Sequence, residues 1–188
     1  MATKKKSKTS WPDPKKLHTI VFDFDGVFTD NAVYVDQSGV ETARCHRGDG
    51  MGIKMLLNWI ALNQPSLVAF VLSLEVNPVV TMRANKLKLG CHQNISDKTT
   101  WLDEHLKLRK KDYKGLVYLG NDLNDLAAMK KAGFSVAPSD AHPLVLKAAS
   151  CVIDIPGGHG FVREFVERLL KIEKMSPQQI DVLVSRKR

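Results

Sequence analysis

Apolar positions along this chain follow two rhythms: short runs of consecutive β-branched and aromatic residues, and longer stretches in which they recur every three or four positions. The first run, residues 18–24, is broken by Gly26 and reads as a buried strand whose end carries Asp23 and Asp25. Two further strand-like runs, 32–35 and 41–45, flank the turn-prone Asp36-Gln37-Ser38-Gly39, which predicts a hairpin. From Gly50 onward Ile53, Leu56, Leu57 and Ile60 stand at i, i+3, i+4 and i+7. That is the spacing of one buried helix face, and the helix should stop near Asn63-Gln64-Pro65.

The alternation then repeats, with a strand over 67–72 and a helix over 78–89, and a strand over 115–119 with a helix over 124–132. Shorter apolar runs at 134–136 and 151–153 predict two more strands, and a helix is expected over 160–173. Strands and helices alternating at this period predict a Rossmann-like α/β fold, a mostly parallel sheet with helices on both faces. Ligands of such folds sit beyond the carboxyl ends of the strands, so the polar residues there should carry the chemistry.

A chain of 188 residues suits one well-buried domain. The apolar run at 67–72 is far shorter than the roughly 20 residues needed to cross a bilayer, so no membrane span is expected. The formal charge of +8 suggests a polyanion partner until its distribution is read. Six lysines and one aspartate in residues 1–16, with Arg186, Lys187 and Arg188, account for all of it. A neutral body with basic ends reads as solubilising tails at 1–16 and 176–188 around a domain at 17–175, and no nucleic acid is implied. Lys4-Lys5-Lys6 lacks the apolar segment of a signal peptide, which predicts a cytoplasmic protein. Cys45, Cys91 and Cys151 are too scattered for a disulfide framework or a zinc site.

Asp23 and Asp25, two apart at a strand end, share one face of extended backbone and can converge on one hard cation, for which Mg²⁺ is the natural choice. The segment Asp23-x-Asp25-Gly-Val-x-Thr29 resembles the first motif of the haloacid dehalogenase superfamily. Three later segments continue the resemblance in order. Ser73 follows the second strand, Lys98 precedes a helix in Ser96-Asp97-Lys98, and Gly120-Asn121-Asp122-Leu123-Asn124-Asp125 opens from another strand. The resemblance implies an Asp23 nucleophile that becomes an aspartyl-phosphate, an Asp25 general acid and base, a Ser73 hydroxyl on the phosphoryl group and a neutralising Lys98 ammonium. Mg²⁺ would be held by Asp23 and Asp25 with Asn121, Asp122 and Asp125, although Asn121 stands where many relatives have aspartate. A binding or regulatory module without catalysis would have no need of both Asp23 and Asp25.

Neither the hairpin-sized piece at 32–45 nor the one-helix stretch between Ser73 and Lys98 could hold a cap domain. The chain resembles the capless phosphatases of 3-deoxy-2-ulosonic acid metabolism, through His46-Arg47-Gly48-Asp49-Gly50-Met51-Gly52-Ile53, Asp140-Ala141-His142-Pro143 and Gly157-Gly158-His159-Gly160. That branch implies a stand-alone homotetramer, with the hairpin as an assembly element. It also implies substrate contacts from Arg47, Asp49, His142 and His159, the last standing where relatives commonly carry Arg or Glu. Ser73-Leu74-Glu75, with Arg83 and Lys86, departs from the Thr-Gly-Arg of the octulosonate 8-phosphate enzymes. An acidic Glu75 that accepts from sugar hydroxyls or orients Lys86 favours a nonulosonate 9-phosphate over 3-deoxy-manno-octulosonate 8-phosphate, and a broad phosphosugar phosphatase is the alternative.

Overall fold

A computed structural model describes residues 10–185. In chain order the elements are β1 (Thr19–Phe22), β2 (Thr29–Val35), β3 (Glu41–Cys45), α1 (Arg47–Asn63), β4 (Val68–Leu72), α2 (Val79–Leu87), β5 (Gly90–His92) and α3 (Lys98–Leu108). They continue with β6 (Leu116–Leu119), α4 (Leu126–Lys131), β7 (Phe134–Ala137), α5 (Pro143–Ala148), β8 (Cys151–Val152), α6 (Phe161–Leu170) and α7 (Pro177–Ser185). Six strands form one parallel sheet in the order β5-β4-β1-β6-β7-β8, while β2 and β3 form a separate antiparallel pair.

The sheet divides the core into two layers because successive side chains of a strand point to opposite faces. Ile20 and Phe22 of β1, with Val117 and Leu119 of β6, face α1, α2, α6 and α7. Val21, Leu116 and Tyr118 face the other way, towards α3, α4 and α5. Strands buried on both sides need continuous apolar runs, and β1, β6 and β7 are buried at every position. Gly52 lets α1 and α6 approach closely: a Cβ there would stand 2.7 Å from Arg163 Cα. The strand order puts β1 between β4 and β6, so the loops that follow these three strands open side by side. No inserted domain interrupts them; only the hairpin lies between β1 and α1, and only α2 and β5 between β4 and α3.

The expected tails are shorter than their charge implies. Residues 176–185, expected as tail, include α7, which buries Leu183 against α1. At the other end Trp11 packs its ring 5.4 Å from Phe134 and 6.0 Å from Phe165. The charged segments 1–9 and 186–188 lie outside the described residues. Among the described residues no helix is long and apolar enough to cross a membrane.

Candidate active site

β1 stops at Phe22, and the next residue delivers its side chain beyond the sheet. Asp23 N–H still donates to Leu119 O of β6 (2.9 Å), which fixes the backbone of the loop. Its Oδ1 accepts from Phe24 N–H (2.7 Å) and stands 2.7 Å from Lys98 Nζ. Lys98 reaches this point as the first residue of α3, whose start is fixed by Asp97 accepting from Thr99 N–H (3.0 Å) and Thr100 N–H (2.9 Å). The same ammonium lies 2.8 Å from Asp125 Oδ1. Asp125 is fully buried, and Tyr118 Oη donates to its Oδ1 (2.8 Å) while Asn121 N–H (2.9 Å) and Asp122 N–H (3.3 Å) donate to Oδ2.

Asp25 lies on the open side of this array, where Thr29 Oγ1 donates to its Oδ1 (3.3 Å). Gly26 then turns back with φ of 74°, and a Cβ on it would stand 1.9 Å from Asn121 Nδ2. Glycine is therefore required twice over, by backbone and by space. Asn121 is buried with an Oδ1 that has no hydrogen-bond partner. Ser73, also buried, accepts at Oγ from Glu75 N–H (3.0 Å), so its own proton is what it offers a ligand. Asp23, Asp25, Asn121 and Asp122 line one open depression.

Burial, and then the neighbouring Asp125, push the Asp23 carboxyl well above the usual carboxylate range, against the pull of Lys98 and the Phe24 amide. Burial also raises Asp25, with Glu75 adding to it and the Thr29 hydrogen bond opposing. For Lys98 burial works against the charged form, but Asp23 and Asp125 outweigh it and the ammonium titrates above its ordinary range. Two buried carboxylates thus share one cation, and the site is short of positive charge. Among the described residues no three His, Cys, Asp or Glu side chains converge as a metal cluster. The donors on offer are Asp23, Asp25 and the orphaned amide oxygen of Asn121, an all-oxygen set that suits a hard cation. Asp125 is corrected out of the ligand set, because four donors already use both of its oxygens.

Residues 85–164 match the family model described as haloacid dehalogenase-like hydrolase. The 3-deoxy-D-manno-octulosonate 8-phosphate phosphatase of Salmonella typhi is 31% identical over 170 residues, 88% of each chain. The chain belongs to the haloacid dehalogenase-like hydrolases. Among solved structures, the phosphatase of the same name from Yersinia pestis superposes with a TM-score of 0.75 at 31% identity, over 85% of this chain and 83% of that one. The Moraxella catarrhalis enzyme, in complex with a magnesium ion, a phosphate ion and a KDO molecule, gives 0.76 at 26% identity, over 85% and 88%.

In this haloacid dehalogenase-like hydrolase the accessory residues divide. Glu75 lies beside Asp25 in a groove walled by the hairpin, but its Oε1 accepts from Val76 N–H (2.7 Å) and Asn77 N–H (2.8 Å) and serves the turn into α2. Lys86, which Glu75 was expected to orient, instead shares a separate basic depression with Arg47 and Arg83. Asp49 is corrected from a substrate contact to a tie between helices: it is fully buried and accepts from Arg163 N–H at 3.0 Å. His142 caps α5 by accepting at Nδ1 from Leu144 N–H (3.2 Å), and its backbone N–H donates to Asn121 O (2.8 Å). His159 is likewise engaged, its Nδ1 2.7 Å from Gly157 O and its Nε2 2.8 Å from Arg44 Nη2. Since Arg44 can only donate, Nε2 is the acceptor in that contact and Nδ1 faces the Gly157 carbonyl as donor. Arg44, which also holds Asp30 (2.9 Å), fastens the hairpin to the His159 loop. Sequence reading missed Arg44 because it lies within an exposed strand, outside every motif.

Proposed function

We propose that this chain is a magnesium-dependent phosphomonoesterase that hydrolyses a phosphorylated 3-deoxy-2-ulosonic acid to the sugar acid and inorganic phosphate. The observation that carries the reading is the buried Asp23–Lys98–Asp125 array with the Asp25 carboxyl beside Asp23 in one open depression. The Salmonella typhi relative, named for octulosonate 8-phosphate, supports the substrate class, and the Moraxella catarrhalis complex supports the metal. Bound Mg²⁺ would supply the positive charge that lets the Asp23 carboxylate and a phosphoryl dianion approach one another.

An Asp23 oxygen attacks phosphorus, the bond from phosphorus to the sugar oxygen breaks, and the Asp25 proton passes to that leaving oxygen. Water then attacks the aspartyl-phosphate, Asp25 takes its proton, and phosphate leaves. Lys98 and Ser73 hold the phosphoryl oxygens through the ammonium and the free hydroxyl proton. Phosphate release from a panel of phosphorylated ulosonates tests the reading. Release that depends on Mg²⁺, stops with chelator and returns on adding the metal is expected; full activity in excess chelator contradicts the metal site.

The finer reading is a nonulosonate 9-phosphate, and it rests on Glu75 beside Asp25, where an acidic group accepts from sugar hydroxyls but repels a carboxylate. The relatives' names favour the octulosonate 8-phosphate as the second reading. Wild type should show the higher kcat/KM for 9-phosphates, and Glu75→Ala should erase the difference. A wild-type preference for the octulosonate would reverse the choice and leave the chemistry intact. Val33, Tyr34 and Val35 expose apolar side chains on β2, which supports the hairpin as the assembly face of a homotetramer. Light scattering that gives a monomer would remove this.

A further inference from the structure

Tyr118 is fully buried in the apolar layer between the sheet and α3 to α5, among Val21, Leu72, Leu102 and Met129. A phenylalanine would satisfy that packing, so the hydroxyl needs a separate reason. It donates to Asp125 Oδ1 at 2.8 Å, the oxygen that Lys98 Nζ also holds at 2.8 Å. From this we infer that Tyr118 is a positioning residue for phosphoryl transfer, acting through Asp125 on Lys98. The inference rests on the phosphatase reading above.

The reason lies in how one cation is divided. Asp23 and Asp125 compete for the Lys98 ammonium, at 2.7 and 2.8 Å. Chemistry needs that ammonium at Asp23, where charge is transferred, and not buried against Asp125. Tyr118 Oη and the Asn121 and Asp122 amides supply Asp125 with three donors besides Lys98, which weakens its hold on the shared cation. Burial and the adjacent Asp125 keep the phenol protonated, so it serves only as a donor here. Without the hydroxyl, Asp125 Oδ1 is left with Lys98 alone, and the ammonium is drawn away from Asp23. The register fixes this role: Tyr118 pairs with Val21 across β1 and β6, two residues before Asp23, so one strand holds the nucleophile and its neighbour holds the group that balances it.

The experiment is Tyr118→Phe, Asp125→Asn and the double variant beside wild type, with Mg²⁺ and a phosphorylated ulosonate that wild type turns over. Tyr118→Phe should lower kcat about tenfold, the size of one hydrogen bond to a charged group, and leave KM within about twofold. In the Asp125→Asn background the same change should cost less than about twofold, because the neutral amide no longer competes with Asp23 for the Lys98 ammonium. An unchanged kcat, or an equal loss in both backgrounds, would overturn the inference; so would a loss of rate that thermal unfolding traces to a collapsed fold. Wild type silent on every phosphoester would defeat the phosphatase reading instead. The Tyr118–Asp125 interaction is then read from the unfolding free energies of the same four proteins, where additive effects would overturn it as well.

Discussion

Each carboxylate of the site sits in surroundings that set a different task, and substitution separates them. Asp23→Asn keeps shape and hydrogen bonding but cannot attack phosphorus, so kcat should fall at least about a thousandfold with the fold retained. Asp25→Asn removes the proton carrier and should cost about a hundred- to ten-thousandfold in kcat; a rate near wild type in either variant would take that residue out of its role. Asn121 offers an orphaned oxygen without charge, so Asn121→Asp should lower the Mg²⁺ concentration for half-maximal activity. An unchanged requirement would shift the ligand role to Asp122. Asp23 and Asp25 could be picked out from their place at the end of an apolar run, whereas Ser73 and Lys98 were named only through the order of the motifs they resemble. That Asp49 is buried against α6 and His159 is tied to Arg44 depends on partners brought from far along the chain, while the saturation of Asp125 depends on how the loop after β6 folds its own amides back onto the carboxylate.

At the scale of elements, α3 carries Lys98 at its start and packs its middle through a ring cluster in which Trp101 and His105 stack at 5.0 Å and Phe70 stands 5.1 Å from His105. Burial holds His18, His92 and His105 below their ordinary range, with Lys111 and Arg109 adding to it at His18 and Arg109 at His105. A histidine lowered by folding favours the native state while neutral. Its contribution is complete above the unfolded value of 6.5 and is lost as pH falls through that value towards the folded one. The raised carboxyls of Asp23, Asp25 and Asp49 titrate with the opposite sign, so the histidine part must be read as a difference. Lowering the pH from about 7.5 to about 5.5 should destabilise wild type more than His105→Phe, measured as the urea midpoint of each. Equal shifts would mean that His105 takes up its proton as readily in the folded chain as in the unfolded one. The long periodic elements α1 and α2 were legible to within a few residues, whereas β5 spans only Gly90–His92 and leaves too short a pattern to read. Helix α7 was hidden by Gln178, Gln179 and Asp181 between its apolar positions, a composition that reads as tail until α1 is there to receive it.

The whole molecule is closed by that last helix. Leu183 is buried, and its carbonyl accepts from Asn58 Nδ2 of α1 at 2.7 Å. Leu183→Ala should therefore cost about 2–5 kcal/mol of stability, as other buried leucine truncations do. It should leave the kcat of the folded fraction unchanged, since α7 lies behind α1 and away from the strand ends. A cost below about 0.5 kcal/mol, typical of surface changes, would show that α7 rests on the body without sealing it.

The central place of β1 has a consequence in time. The strand that leads into Asp23 is made first, yet Thr19 pairs with Val68 on one side and Leu116 on the other, and both partners lie far along the chain. Pairings between distant segments form slowly, because the intervening loop must close before any contact rewards it. Helices can regain their signal early as the protein refolds from denaturant, but Asp23 gains its place beside Lys98 and Asp125 only after β6 has docked. Turnover is thus the last property to return, and it reports completion of the sheet more faithfully than any measure of helix content.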